Sequence, residues 1–164
     1  MDRSVTPMNS IYDRDLDKNQ ANYQPLTPLT LLERAATVFP DHIAIIHGHL
    51  KITYGEFYVR CRRFAAALTE QGIGSGDTVS VMLANTPAML EVHYAVPMCG
   101  AVLHAINTRL DAAVIAFQLD HGESRVLITD LDFSGTIKSA LELAAVEPLV
   151  IDYQDPVFPQ QGEF

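Results

Sequence analysis

Gly76-Asp77-Thr78-Val79-Ser80-Val81-Met82-Leu83-Ala84-Asn85, Cys99-Gly100-Ala101-Val102 and Arg125-Val126-Leu127-Ile128-Thr129-Asp130 succeed one another behind an opening Ile52-Thr53-Tyr54-Gly55-Glu56-Phe57. Their apolar runs are too short for helices and carry little polar alternation. They predict strands at Thr78–Leu83, Ala101–Ile106 and Arg125–Thr129, with a fourth at Pro148–Asp152. The gaps hold helical patterns near Pro87–Gly100, Asp111–Asp120 and Thr136–Ala145. Continuously apolar strands alternating with helices require burial on both faces, which predicts an α/β fold with a mostly parallel sheet. Pro97 lies inside its helix and is expected to kink it, because its ring clashes with the preceding turn.

Upstream, Thr53 and Glu56 have the spacing of a capping box, and Phe57, Cys61, Phe64 and Leu68 form the buried stripe of the helix they open. Gly72 suits its C-terminal cap. Ile43–Ile46 and Leu50–Thr53 predict a short β-hairpin turning through His47-Gly48-His49, with Gly48 at the tip. A first helix starts at Thr27-Pro28, with Thr30–Glu33 as an alternative capping box. Leu29, Leu32, Ala36 and Phe39 give that helix its apolar spacing, and Pro40 ends it. Residues 1–26 are polar and read as an irregular lead-in, 27–152 as an α/β subdomain, and 153–164 as a proline-rich acidic tail or truncated linker.

The 164 residues are 48% hydrophobic, enough for one core, and carry 20 acidic against 11 basic side chains for a net charge of −9. That charge repels nucleic-acid backbones and anionic lipid. No apolar run approaches the ~20 residues needed to span a bilayer. Cys61 and Cys99 are too few and too far apart for a disulfide framework or zinc knuckle; they suit a reducing cytoplasm as buried small hydrophobes.

Several groups invite a chemical reading. Gly72-Ile73-Gly74-Ser75-Gly76 follows a helix and opens a strand, the reverse of a phosphate loop, so it is a connection. Lys138-Ser139 lacks the glycines of a P-loop, whose positions hold Asp132 and Ile137. His47 and His49 have metal-like spacing without a third ligand nearby in sequence, and read as exposed turn residues. His93 and His104 read as core histidines, and His121 as a helix terminus favoured by the dipole. Asp130 and Asp152 end strands, where α/β folds place ligands. A phosphoacceptor would need an acidic pair after the first parallel strand, and Leu83-Ala84-Asn85-Thr86 has none. Asn85-Thr86-Pro87 reads as a helix cap. Arg60, Arg62 and Arg63 form the dense basic cluster, most simply a solvated face.

The order of these motifs resembles the N-terminal part of the AMP-forming acyl-CoA synthetases, the adenylate-forming ligase family. The resemblance rests on Thr53-Tyr54-x-Glu56, on Gly72-x-x-x-Gly76-Asp77-x-Val79-x-Val81-x-x-x-Asn85, on Gly100-Ala101-Val102, on Asn107-Thr108-Arg109-Leu110 and on Val126-Leu127-Ile128. Within the family the chain looks most like the fatty- and short-branched-acid CoA ligases. The resemblance implies that the full-length enzyme joins a carboxylic acid to AMP with ATP and Mg2+ and passes the acyl group to CoA. It also implies that Arg63, before the aromatic of Arg63-Phe64-Ala65, contacts the nucleotide end of CoA. Adenylate formation requires a Thr/Ser/Gly-rich loop around pyrophosphate. Phe133-Ser134-Gly135-Thr136 is too short for one, so no catalytic or metal residue carries over. The expectation is an incomplete enzyme, inactive alone, with exposed apolar surface and a tendency to self-associate. The alternative is a stand-alone α/β module that binds a partner or small ligand without catalysis; a downstream in-frame Thr/Ser/Gly-rich loop would separate the two.

Overall fold

A computed structural model of the protein describes residues 19–158. Most of the expected lead-in (1–18) and the end of the tail (159–164) lie outside the described residues. Helix α1 (Pro28–Val38) starts where Thr27 caps it. The Thr27 hydroxyl accepts from the Thr30 amide at 3.3 Å, and Thr30 Oγ1 accepts from the Thr27 amide. The cap is therefore Thr27, as expected, closed as a box with Thr30; the alternative Thr30–Glu33 box does not form. Phe39 leaves the predicted stripe: it is 43% exposed and stacks on His42.

Strands β1 (Ile43–His47) and β2 (Leu50–Thr53) form a separate antiparallel hairpin, with Gly48 in the left-handed region at φ +57°. Helix α2 (Tyr54–Glu70) opens on the predicted reciprocal box. Thr53 Oγ1 accepts from the Glu56 amide at 3.2 Å, and Glu56 Oε2 from the Thr53 amide at 2.8 Å. Its buried residues are Phe57, Cys61, Ala65 and Leu68, with Phe64 only partly covered. Gly72 (φ +77°) donates to the Thr69 carbonyl and Ile73 to that of Leu68. This left-handed close satisfies two terminal carbonyls and sets Ile73 and Leu68 in one core cluster.

The chain then winds strand–helix–strand through β3 (Thr78–Met82), α3 (Pro87–Met98), β4 (Val102–Ala105), α4 (Ala112–His121), β5 (Ser124–Asp130), α5 (Ser134–Leu143) and β6 (Leu149–Tyr153). The four strands are all parallel, in the order β4-β3-β5-β6. Pro97 is the penultimate residue of α3, so the helix stops at Met98 instead of continuing through a kink to Gly100. Helix α5 begins two residues early, because Leu131–Phe133 forms a 3-10 turn that leads directly into it.

Alternate strand residues face opposite layers. Val79, Val81, Val126 and Ile128 pack with Leu68 of α2 and with Ala88, Val92 and Val96 of α3. On the other face Met82 and Leu127 pack with Ile115 and Leu119 of α4 and Ile137 and Ala140 of α5. A third cluster joins Leu32, Ile45, Ile52, Phe57 and Cys61 between α1, the hairpin and α2. Burial raises the Cys61 thiol to about 12, keeping it a protonated hydrophobe as expected; Cys99 is half-buried and donates to the Val96 carbonyl. The sheet edges leave Val102 54% and Leu149 46% exposed.

Leu119 and Ile137 are both fully buried, so each alanine substitution should leave a cavity costing about 2–5 kcal/mol. Thr53→Ala loses a helix cap and should cost about 1 kcal/mol. Urea unfolding of the three variants should rank both core changes above the cap change.

Candidate active site

Strand β3 is the first of the parallel sheet; the chain adds β4 on one side of it and then β5 on the other. The reversal opens a crevice between the carboxyl ends of β3 and β5, the place where open α/β sheets bind ligands. Ala84, Asn85 and Thr86 stand on one bank, with Thr86 capping α3 by position and Pro87 at its first turn. Asp130, the last residue of β5, stands on the other and is 4% exposed.

The Asp130 carboxylate accepts from the Asp132 amide at 3.3 Å. Burial pushes its pKa above the ordinary carboxylate range, helped by the nearby negative charges of Asp132 and Asp155, while the backbone amides nearby pull the other way. Asp152, on neighbouring β6, is also raised by burial, and both its carboxylate oxygens are buried without a hydrogen-bond partner among the described residues. Asp130 ends β5 as predicted, whereas β6 runs one residue beyond Asp152 to Tyr153.

A polar belt surrounds this point. Glu91 of α3 is 8% exposed and accepts from the Arg60 side chain of α2 at 2.5 Å. That contact raises the already basic guanidinium further. Tyr153, at the end of β6, is raised by burial, and Thr86 Oγ1 is buried with no hydrogen-bond partner among the described residues. His47 Nε2 lies 2.6 Å from Asp155 Oδ2. Beside the belt, a cavity of about 580 Å³ separates β1 from the first half of α3, with Ile46, Met89 and Leu90 in its walls and His47, His93 and Asn85 as polar members.

The histidines depart from expectation in two places. His47 is not an exposed turn residue: its side chain is 17% exposed and held by Asp155. His93 is not a core residue, for it is exposed and its Nδ1 meets the Met89 carbonyl at 2.7 Å on its own helix. His49 is exposed as predicted, and His121 does end α4, stacked on Phe117. His104 is half-buried, its Nδ1 2.9 Å from Ser80 Oγ, which in turn lies 2.6 Å from Ser124 Oγ. Burial lowers the His104 pKa, so this trio is a neutral hydrogen-bonded plug under the sheet.

The basic cluster divides. Arg60 is spent on Glu91, and Arg62 lies over the Tyr58 ring at 5.8 Å. Arg63 is exposed and borders a groove of about 270 Å³ with Lys51, Glu56 and Val59. The glycine connection acts structurally through Asp77, whose carboxylate accepts from the Gly74 amide at 2.8 Å and from Arg125 at 2.9 Å. Lys138-Ser139 sits within α5, where Ser139 donates to the Gly135 carbonyl. Glu91 and Asp155 escaped sequence reasoning. They lie 31 and 108 residues from their partners, and no local pattern announces such pairs.

A raised folded pKa means that the native state holds the Asp130 proton more tightly than the unfolded chain. Its contribution is present below the ordinary 3.8 and is lost as pH rises through the folded value. Asp130→Asn keeps an oxygen for the Asp132 amide and removes the titration. Its stability relative to wild type should therefore increase as pH rises from 3 towards 7, as read by urea midpoints. A constant difference across that range would exclude the assignment.

Comparison with known proteins bears on the same stretch. Residues 32–162 match the family model described as AMP-binding enzyme. An acetate–CoA ligase of Humulus lupulus is 48% identical over 133 residues, which is 81% of this chain and 23% of the relative. A peroxisomal benzoate–CoA ligase of Arabidopsis thaliana is 42% identical over 156 residues, 92% of this chain and 27% of the relative. Among solved structures, a benzoate CoA ligase from Burkholderia xenovorans superposes with TM-score 0.72 at 27% identity, covering 80% of this chain and 26% of that one. A fatty acyl CoA synthetase from Mycobacterium tuberculosis gives 0.70 at 29% identity, covering 76% and 26%. The chain thus spans about a quarter of the length of the curated relatives it matches. With the parallel sheet and the separate hairpin in place, the family model matching residues 32–162 and 48% identity over four-fifths of the sequence, the chain belongs to the AMP-binding, adenylate-forming acyl-CoA synthetase family.

Proposed function

We propose that this chain forms the scaffold of an AMP-forming carboxylic acid–CoA ligase, which converts acid, ATP and CoA to acyl-CoA, AMP and pyrophosphate. The observation that carries the reading is its 48% identity to a relative named for acetate–CoA ligation. The relatives' names span acetate, butyrate and benzoate, so the acid class is a small carboxylate, aliphatic or aromatic. We place it in the cytoplasm, where thiols such as Cys61 stay reduced.

The residues described here do not by themselves fit Mg2+–ATP. Among them no three His, Cys, Asp or Glu side chains stand close enough to hold a metal ion, and Asp130 is engaged by the Asp132 amide. Triphosphate cradling needs backbone amides free to point at the phosphates. We therefore assign the chemistry of adenylate formation to other segments of the full-length enzyme and expect no adenylation from these 164 residues alone.

CoA fits better. Arg63 presents an exposed guanidinium beside Lys51 along the groove of α2 and β2, and a guanidinium fork matches the oxygens of a phosphate. We assign Arg63 to the nucleotide end of CoA.

Pyrophosphate exchange with a panel of small aliphatic and aromatic acids tests the reading. The 164-residue polypeptide should show none. In the full-length ligase Arg63→Ala should raise the KM for CoA several-fold and leave acid-dependent exchange unchanged, since that half-reaction precedes CoA. Exchange by the isolated chain would sink the first claim, and an unchanged KM the second.

A further inference from the structure

We propose that residues 154–158 form a strap that clasps the hairpin onto the parallel sheet through the contact between His47 and Asp155. The hairpin and the four-stranded sheet share no strand pairing; helix α2 packs against both, and the strap adds a second connection. The strap is the direct continuation of β6, and His47 is the last residue of β1.

Three observations converge on this junction. His47 Nε2 meets Asp155 Oδ2 at 2.6 Å, with the Asp155 residue only 7% exposed. The Phe158 ring stands edge-on to His47, with centroids 5.5 Å apart. At the hairpin tip the strap lies so close that a Cβ on Gly48 would come within 2.7 Å of Val157 Cγ1. Sequence separation of 108 residues between the two ends makes this a tertiary lock, not a local turn.

The carboxylate is fully used. Asp155 Oδ1 accepts from the Val157 amide at 2.8 Å, which shapes the strap, and Oδ2 is left for the imidazole. Burial opposes ionisation of Asp155. The amides of Val157 and Phe158 and the His47 ring nevertheless hold its pKa below the ordinary range. The other titratable groups facing it are Asp130 from β5 and Tyr153 from β6. The His47 ring is the side chain that meets the buried carboxylate by hydrogen bonding. His47 also lines the cavity between β1 and α3, so releasing the strap frees one wall of that cavity.

Amide hydrogen exchange on the whole chain at neutral pH reads the clasp directly. His47→Leu removes the donor and keeps bulk; Asp155→Asn conserves volume and removes the charge. Each should accelerate exchange on the order of tenfold or more in the hairpin (43–53) and in the strap, as expected for losing a hydrogen bond to a charged group. The amides of β3 and β5 should keep wild-type rates. The double variant should add little to either single change, because both remove one interaction. Hairpin rates that stay at wild type in Asp155→Asn would overturn the proposal, as would equal acceleration in β3 and β5 or full additivity in the double variant.

Discussion

Everything in this molecule depends on the need to cover both faces of one parallel sheet. Strands β3 and β5 are its centre, and almost every side chain they carry is buried. Burial of aliphatic side chains is worth ~25 cal/mol per Å² removed from water, and here it is available on two sides. Helices α2 and α3 must therefore lie on one face and α4 and α5 on the other, which is what the alternation of Val81 and Met82 between the first two core clusters records. The Thr53–Glu56 box, the Gly72 close and the Asp77–Arg125 bridge then decide where each element starts and how the turns join them.

The same constraint decides what the carboxyl ends of the strands can do. A two-sided sheet that changes winding direction leaves a crevice, and in many α/β proteins a ligand fills it. Here the buried Asp130 stands at its edge and accepts from the Asp132 amide. Two neighbouring acids are committed elsewhere, Glu91 to Arg60 and Asp155 to His47, whereas Thr86 Oγ1 and both Asp152 oxygens are buried with no partner among the described residues. The family's motifs within this stretch act as fold determinants. Asp77 closes a turn, Asn107 Oδ1 accepts from the Arg109 amide, and Asp111 caps α4 by accepting from Val114.

Much of this architecture could be read from the residues in order. The four strands and the helices between them follow from apolar run length, and the caps follow from hydroxyl and carboxylate spacing. Such signals are local, so they survive in a single sequence. Phe39 was misplaced because helical spacing says nothing about where the helix stops being covered. His93 was misplaced because an apolar helix can still turn one position outward. His47 and its Asp155 partner were invisible for a different reason: a contact between the hairpin and the chain beyond β6 depends on the whole topology. The candidate site was legible only as strand ends at Asp130 and Asp152; that one is held by a backbone amide and the other is buried without a partner among the described residues is a tertiary fact.

The most direct test of the scaffold account is exchange at the Asp132 amide of the 164-residue chain, by NMR, with and without millimolar ATP and Mg2+. If Asp130 already engages that amide, it exchanges slowly in the free protein and ATP changes neither its rate nor its chemical shift. Fast exchange at the Asp132 amide in the free protein, followed by saturable protection on adding nucleotide, would show that the crevice binds ATP and would contradict the account.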